Sequence, residues 1–191
     1  MKILLTGGPG SGKTTQLESL EAYITTQNLN WIIHPEVSRG LQELQNPFTK
    51  EKVYDPANDP NTFTHAILGQ RVADFKKALL NTVNIYDRGL IDSLAYCKAY
   101  NCTEIQDLID LCKENQYDLV IFFPFWSEIY TQDEGRCENN SQAKHISEVI
   151  YETLTQLEAN FVVVPQDTVE NRQIFLIDHI NQVVDSKMTL L

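Results

Sequence analysis

Residues 3–14 read Ile3-Leu4-Leu5-Thr6-Gly7-Gly8-Pro9-Gly10-Ser11-Gly12-Lys13-Thr14. From Gly7 onward they match the pattern G-x-x-x-x-G-K-[ST] in full. An apolar run of strand type leads directly into the glycines, and an amphipathic segment follows the Lys-Thr pair. This strand–loop–helix setting is what makes the pattern specific for phosphate. Glycines let the backbone approach an anion closely, several N–H groups turn inward, and the positive end of the next helix faces the same point. Gly7, Gly8, Pro9, Gly10, Ser11, Gly12, Lys13, Thr14 and Thr15 are therefore expected to cradle the phosphates of a nucleotide. Lys13 is expected to contact the β and γ phosphates as a point charge, and Thr14 to place its hydroxyl on Mg²⁺. The alternative is a Gly/Pro turn that happens to carry Lys and Thr. Strand, glycines and terminal Lys-Thr occurring together argue against it.

A phosphate-bound metal needs an acidic partner, usually at the end of a second apolar strand. Leu119-Val120-Ile121-Phe122-Phe123 ends in Pro124 with no acid, whereas Val83-Asn84-Ile85-Tyr86 ends in Asp87. Asp87 is thus the expected metal-side carboxylate, with an N-cap of the next helix as a compatible alternative. Arg88 follows it, at the sheet edge where ligands of open α/β folds bind. A guanidinium there suits an acceptor phosphate or the transferring group. A surface ion pair is its bland alternative.

Outward from these motifs, short apolar runs alternate with longer amphipathic ones, the pattern of a parallel sheet covered by helices on both faces. Strands are expected over 2–6, 31–35, 83–87, 119–123 and 161–164, and helices over 13–26, 62–80, 91–99, 103–115, 142–158 and 169–184. In the last helix Ile174, Ile177 and Ile180 to Val184 are read as one core stripe. The irregular stretches 46–61 and 124–141 are candidate lids. At 191 residues the chain is expected to form one domain, 1–191.

A formal charge of −11 leaves no basic field for a nucleic-acid backbone, so positive charge must be local to a site. No apolar stretch approaches the ~20 residues of a membrane helix, and the first residues run into a strand rather than a signal peptide. A cytoplasmic protein without membrane insertion is expected. Cys97, Cys102, Cys112 and Cys137 show no C-x-x-C spacing and are read as reduced thiols. The four histidines form no metal-binding cluster either.

Gly-Gly-Pro-Gly-Ser-Gly-Lys-Thr-Thr at 7–15, Glu36-Val37-Ser38-Arg39, Tyr86-Asp87-Arg88-Gly89 with Asp92-Ser93-Leu94-Ala95-Tyr96, and the stretch around Asp133 and Arg136 give the chain a family likeness. In their order and spacing it resembles P-loop kinase-like proteins that include nicotinamide riboside kinase domains of the NadR type and related ATPase domains. The resemblance implies a three-layer α/β P-loop NTPase fold of nucleoside- and nucleotide-kinase type. Its five-stranded parallel sheet would place the Asp87 strand beside the P-loop strand. It also implies that Glu36 faces the acceptor, as base or as holder of an attacking hydroxyl; a helix-start acid, or a partner for Arg39, is the other reading. Arg136 is the candidate for a mobile arginine closing over the γ-phosphate. Pro165-Gln166-Asp167-Thr168 corresponds to a loop flanking the nucleotide base, or is an ordinary turn with a cap. Arg172, one turn further on, could stack near adenine, but is read as part of a solvated helix face.

These residues fit an ATP-dependent kinase acting on a nucleoside, nucleotide or vitamin-like hydroxyl acceptor. The competing class is a nucleotide-dependent ATPase or GTPase switch or binding module without an acceptor. No Asn-Lys-x-Asp guanine signature is present, which disfavours a Ras-like GTPase; GTP nevertheless stays open as the bound nucleotide. A ring-forming mechanical ATPase is disfavoured by the length and by the lack of an Asp-Glu pair after an apolar strand.

Overall fold

The computed structural model describes residues 1–54, 60–101, 105–130 and 139–188, side chains of 39, 42, 60, 61, 105 and 188 excepted. Its strands are β1 (Lys2–Gly7), β2 (Trp31–His34), β3 (Val83–Asp87), β4 (Leu119–Phe123) and β5 (Phe161–Val163). All pairings are parallel, and the order across the sheet is β2-β3-β1-β4-β5. The strand bearing Asp87 thus lies beside the P-loop strand, as the resemblance implied. After β3 the chain crosses β1 to reach β4, so the carboxyl end of β1 is a topological switch point, where ligands of open α/β sheets bind.

The helices are α1 (Lys13–Gln27), α2 (Val37–Glu43), α3 (Pro60–Lys76), α4 (Leu90–Ala99), α5 (Ile105–Glu114), α6 (Asn140–Gln156) and α7 (Val169–Met188). Because side chains alternate across a strand, Ile3 and Leu5 of β1 pack with Leu17 and Leu20 of α1 and Leu176 and Ile180 of α7. Leu4 packs instead with residues of α3, α4, α5 and α6. Burial on both faces explains why β1 and β4 read as continuous apolar runs rather than alternating ones. Each fully buried Leu or Ile contributes roughly 1.5–3 kcal/mol. No helix among the described residues is long and apolar enough to cross a membrane.

Three expectations need correction. Helix α2 lies outside the expected helices, although its N-cap is Glu36, whose other reading was a helix-start acid; the Glu36 side chain makes no cap bond. Helix α3 stops at Lys76 rather than 80, because Asn84 draws the following chain into a clamp. Its Oδ1 accepts from the Leu79 N–H at 3.0 Å, while its Nδ2 donates to the carbonyls of Leu79 and Thr82 at 2.9 and 3.1 Å. Leu80 is left 90% exposed. In α7 the stripe runs through Arg172, Leu176 and Ile180. Ile174, about 200° around the helix from Arg172 and Leu176, is 58% exposed.

Of the candidate lids, 46–54 is a compact turn. The Asn46 side chain accepts from the N–H groups of Phe48 and Thr49, and Gln45 bridges Lys52.

Candidate functional site

The loop after β1 needs glycine at two places, since Gly10 and Gly12 both have φ of 73°, a region that L side chains rarely occupy. The chain then enters α1 with Lys13 buried and Thr14 and Thr15 exposed. Lys13 Nζ pairs with Asp87 Oδ1. Asp87 ends β3 in register with Leu5, so the sheet itself brings the P-loop lysine and the expected metal-side carboxylate together. Burial lowers the Lys13 pKa, the nearby Arg88 charge lowers it further, and Asp87 and Glu36 oppose both.

Arg88 joins this pair to a second group of carboxylates. Its φ of 66° is unusual for a residue with a side chain, and five contacts hold it. Its backbone N–H donates to Leu5 O at 3.0 Å. NH1 donates to the Gly7 carbonyl at 3.0 Å and to Asp92 Oδ1 at 3.2 Å. Nε lies 2.9 Å from Glu36 Oε1, and the guanidinium sits 5.4 Å from the centre of the Tyr96 ring. Burial works against the charge, but Tyr96, Glu36, Asp92 and Asp87 together raise the Arg88 pKa well above its ordinary value. The surface-ion-pair reading of Arg88 is therefore wrong: sheet and helix enclose it.

Asp92 is the organising carboxylate the sequence did not single out. It is fully buried, accepting from Thr6 Oγ1 at 2.7 Å and from the Gly89 N–H at 2.8 Å. Gly89 is the N-cap of α4, so the capping alternative for Asp87 does not hold and Asp92 supplies that function from inside the helix. The signal was available: an acid three residues after a loop residue is the spacing of a capping box.

Glu36, between β2 and α2, receives the Ser38 hydroxyl at 2.8 Å as well as Arg88. Burial raises its pKa, but the charges of Arg88 and Lys13 and the Ser38 bond overcome this and hold it at about 2. A crevice of about 10 Å³, the room of about one water, is lined by His34, Val37, Arg71, Tyr86, Arg88 and Tyr117, among others. The His34 and Tyr86 rings stack there at 4.4 Å and 8°. Arg71, 7% exposed, donates from NH1 to Ser93 Oγ at 2.7 Å and leaves its Nε unpartnered. The sequence reading missed it; Leu68 and Phe75, three residues before and four after it and packed into the core, were the available signal.

Arg172 requires the opposite correction, since it is no part of a solvated face but 4% exposed beneath the P-loop. The turn before it is capped as the alternative reading held: Thr168 Oγ1 accepts from the Asn171 N–H, and Asp167 Oδ1 from the Thr168 N–H. Arg136 and Asp133 lie outside the described residues, as does the side chain of Arg39. Neither Cys97 nor Cys112 is in a disulfide; Cys102 and Cys137 are also outside. A single carboxylate with a hydroxyl fits Mg²⁺, which usually keeps several waters and takes one or two carboxylates plus substrate phosphates. Asp87 at the end of β3 and Thr14, exposed in the first turn of α1, are donors of those types.

A family model described as an AAA domain matches residues 2–172. No curated protein matches the chain. Among solved structures it is similar to deoxyadenosine kinase from M. mycoides with bound dATP, at a TM-score of 0.67 and 19% identity over 95% of this chain and 100% of that one. The same enzyme with products dCMP and a flexible dCDP gives a TM-score of 0.68 at 19% identity, with the same coverage of both chains. With bound dCTP it gives 0.64 at 18%, again over 95% and 100% of the two chains. At these identities what is shared is the fold, a P-loop sheet of nucleoside-kinase type.

Proposed function

We propose that this chain, which belongs to the AAA-domain family, is a small-molecule kinase that transfers the γ-phosphate of Mg·ATP to a hydroxyl on a nucleoside-, nucleotide- or vitamin-like acceptor. One observation carries the reading: Arg88, next to Asp87 in the chain and bonded to the Gly7 carbonyl of the P-loop, also holds Glu36, so a carboxylate stands beside the phosphate site. A hydrolase or a switch needs the Lys13–Asp87 pair but has no use for that carboxylate.

On this reading the P-loop N–H groups and Lys13 hold the β and γ phosphates, Lys13 exchanging Asp87 for them. Asp87 and Thr14 hold Mg²⁺, which when bound neutralises charge on the phosphate oxygens. Arg88, buried and permanently charged, lies where charge develops on the transferring group. Glu36 is ionised throughout the physiological range and accepts the hydrogen bond of the attacking hydroxyl. So acidic a carboxylate aligns that hydroxyl until bond formation makes it acidic; in a loose phosphoryl-transfer transition state little earlier deprotonation is needed. Arg136 closes over the γ-phosphate. The acidic surface keeps nucleic acid away, and a cytoplasmic setting, rich in Mg·ATP, suits Cys97 and Cys112, which form no disulfide.

The test is a panel of nucleosides, nucleotides and hydroxyl-bearing vitamins incubated with γ-labelled ATP, with GTP as competitor. A labelled phosphoester is expected from one chemical class. Label recovered only as inorganic phosphate, at a rate indifferent to every acceptor, would move the chain to the NTPase class.

A further inference from the structure

Arg172 is a buried cation without a counter-charge among the described residues. NH2 donates to the carbonyl of Ser11 at 2.7 Å, and the guanidinium lies 5.3 Å from the Phe123 ring centre and 5.7 Å from that of Trp126. It presses on the P-loop so closely that a Cβ on Gly12 would meet NH1 at 2.6 Å. Its Nε has no hydrogen-bond partner, and no carboxylate among the described residues pairs with it. Desolvating an ion costs several kcal/mol even after relaxation. Two aromatic faces and one hydrogen bond to a carbonyl return part of that cost. Burial correspondingly lowers the Arg172 pKa.

The peptide joining Ser11 to Gly12 is trans, since the structure holds no cis bond, and in a trans peptide the C=O and N–H point opposite ways. Turning the Ser11 carbonyl toward α7 therefore turns the Gly12 N–H away from α7. We propose that Arg172 is a positioning residue of the nucleotide site: it fixes the Ser11–Gly12 peptide with its N–H offered to phosphate, and takes a counter-charge from the bound polyphosphate. The inference rests on phosphate binding by the P-loop, as the proposed function does, and is independent of any acceptor.

Calorimetry with Mg·ATP and with inorganic tripolyphosphate, on wild type, Arg172→Met, Arg172→Gln and Arg172→Lys, tests it alongside nucleotide-free melting temperatures. Arg172→Met should weaken both probes about tenfold or more, the worth of one charge-assisted contact. Its nucleotide-free melting temperature should hold or rise, because an apolar side chain replaces an uncompensated charge. Arg172→Lys should regain part of the affinity. A nucleotide-free form that melts earlier yet binds both probes as tightly as wild type would make Arg172 a packing strut and overturn the proposal. Where the Met variant does not fold, Arg172→Gln decides, since it can keep a bond to Ser11 without the charge; wild-type affinity in it is equally fatal. Failure of wild type itself to bind either probe would strike the P-loop reading instead.

Discussion

At the scale of single residues, the site is a chain of charges in which each member restrains the next. Lys13 neutralises Asp87, and Arg88 is shared between Glu36 and Asp92. Lys13→Ala should abolish nucleotide binding in calorimetry; undiminished affinity for Mg·ATP would refute the phosphate assignment. Glu36 supplies a pH signature. Its pKa in the folded chain, about 2, lies below the usual 4.5, so its stabilising contribution is complete above the unfolded value and is lost as pH falls through the folded one. Thermal melts between pH 7 and pH 2 should show an acid-sensitive component that shrinks in Glu36→Gln, which cannot ionise. Equal acid sensitivity in both proteins would mean that Glu36 is not held by Arg88 in solution.

At the scale of elements, what the sequence revealed and what it hid have separate physical causes. The central strands β1 and β4 were legible because burial on both faces demands unbroken apolar runs, the partly exposed edge strands β2 and β5 because they too are short apolar runs, and the P-loop because its backbone geometry tolerates few other residues. Helix α2 was hidden because it is only seven residues long and Gly40 interrupts the pattern; the helix-start reading of Glu36 was its one trace. The buried charges Arg71, Asp92 and Arg172 were passed over because a polar residue in a helix ordinarily marks the solvent side, and only helical spacing to buried neighbours says otherwise. Helix α7 allows a direct check. Leu176→Ala should cost about 2–5 kcal/mol of stability as a core truncation, whereas Ile174→Ala should stay within about 0.5 kcal/mol as a surface change. Denaturant unfolding measures both; comparable losses would mean the stripe is misplaced.

Across the whole molecule, a net charge of −11 coexists with four buried or nearly buried cations, Lys13, Arg71, Arg88 and Arg172, gathered around one end of the sheet. Among the described residues the buried positive charge gathers where phosphate is expected, and the crossing of β1 between β3 and β4 is what gathers it. Kinase chemistry requires that the two halves of this site act on one phosphoryl group, and phosphorus-31 NMR reads that requirement most directly. With Mg·ATP and the acceptor class identified in the panel, wild type should form ADP and a new phosphate monoester in equal amounts. Glu36→Gln should form both roughly 10²–10⁴ times more slowly, the usual worth of a positioned acid or base, with ATP affinity unchanged. ADP accompanied only by inorganic phosphate, at one rate in both proteins, would contradict phosphoryl transfer through Glu36 and Arg88.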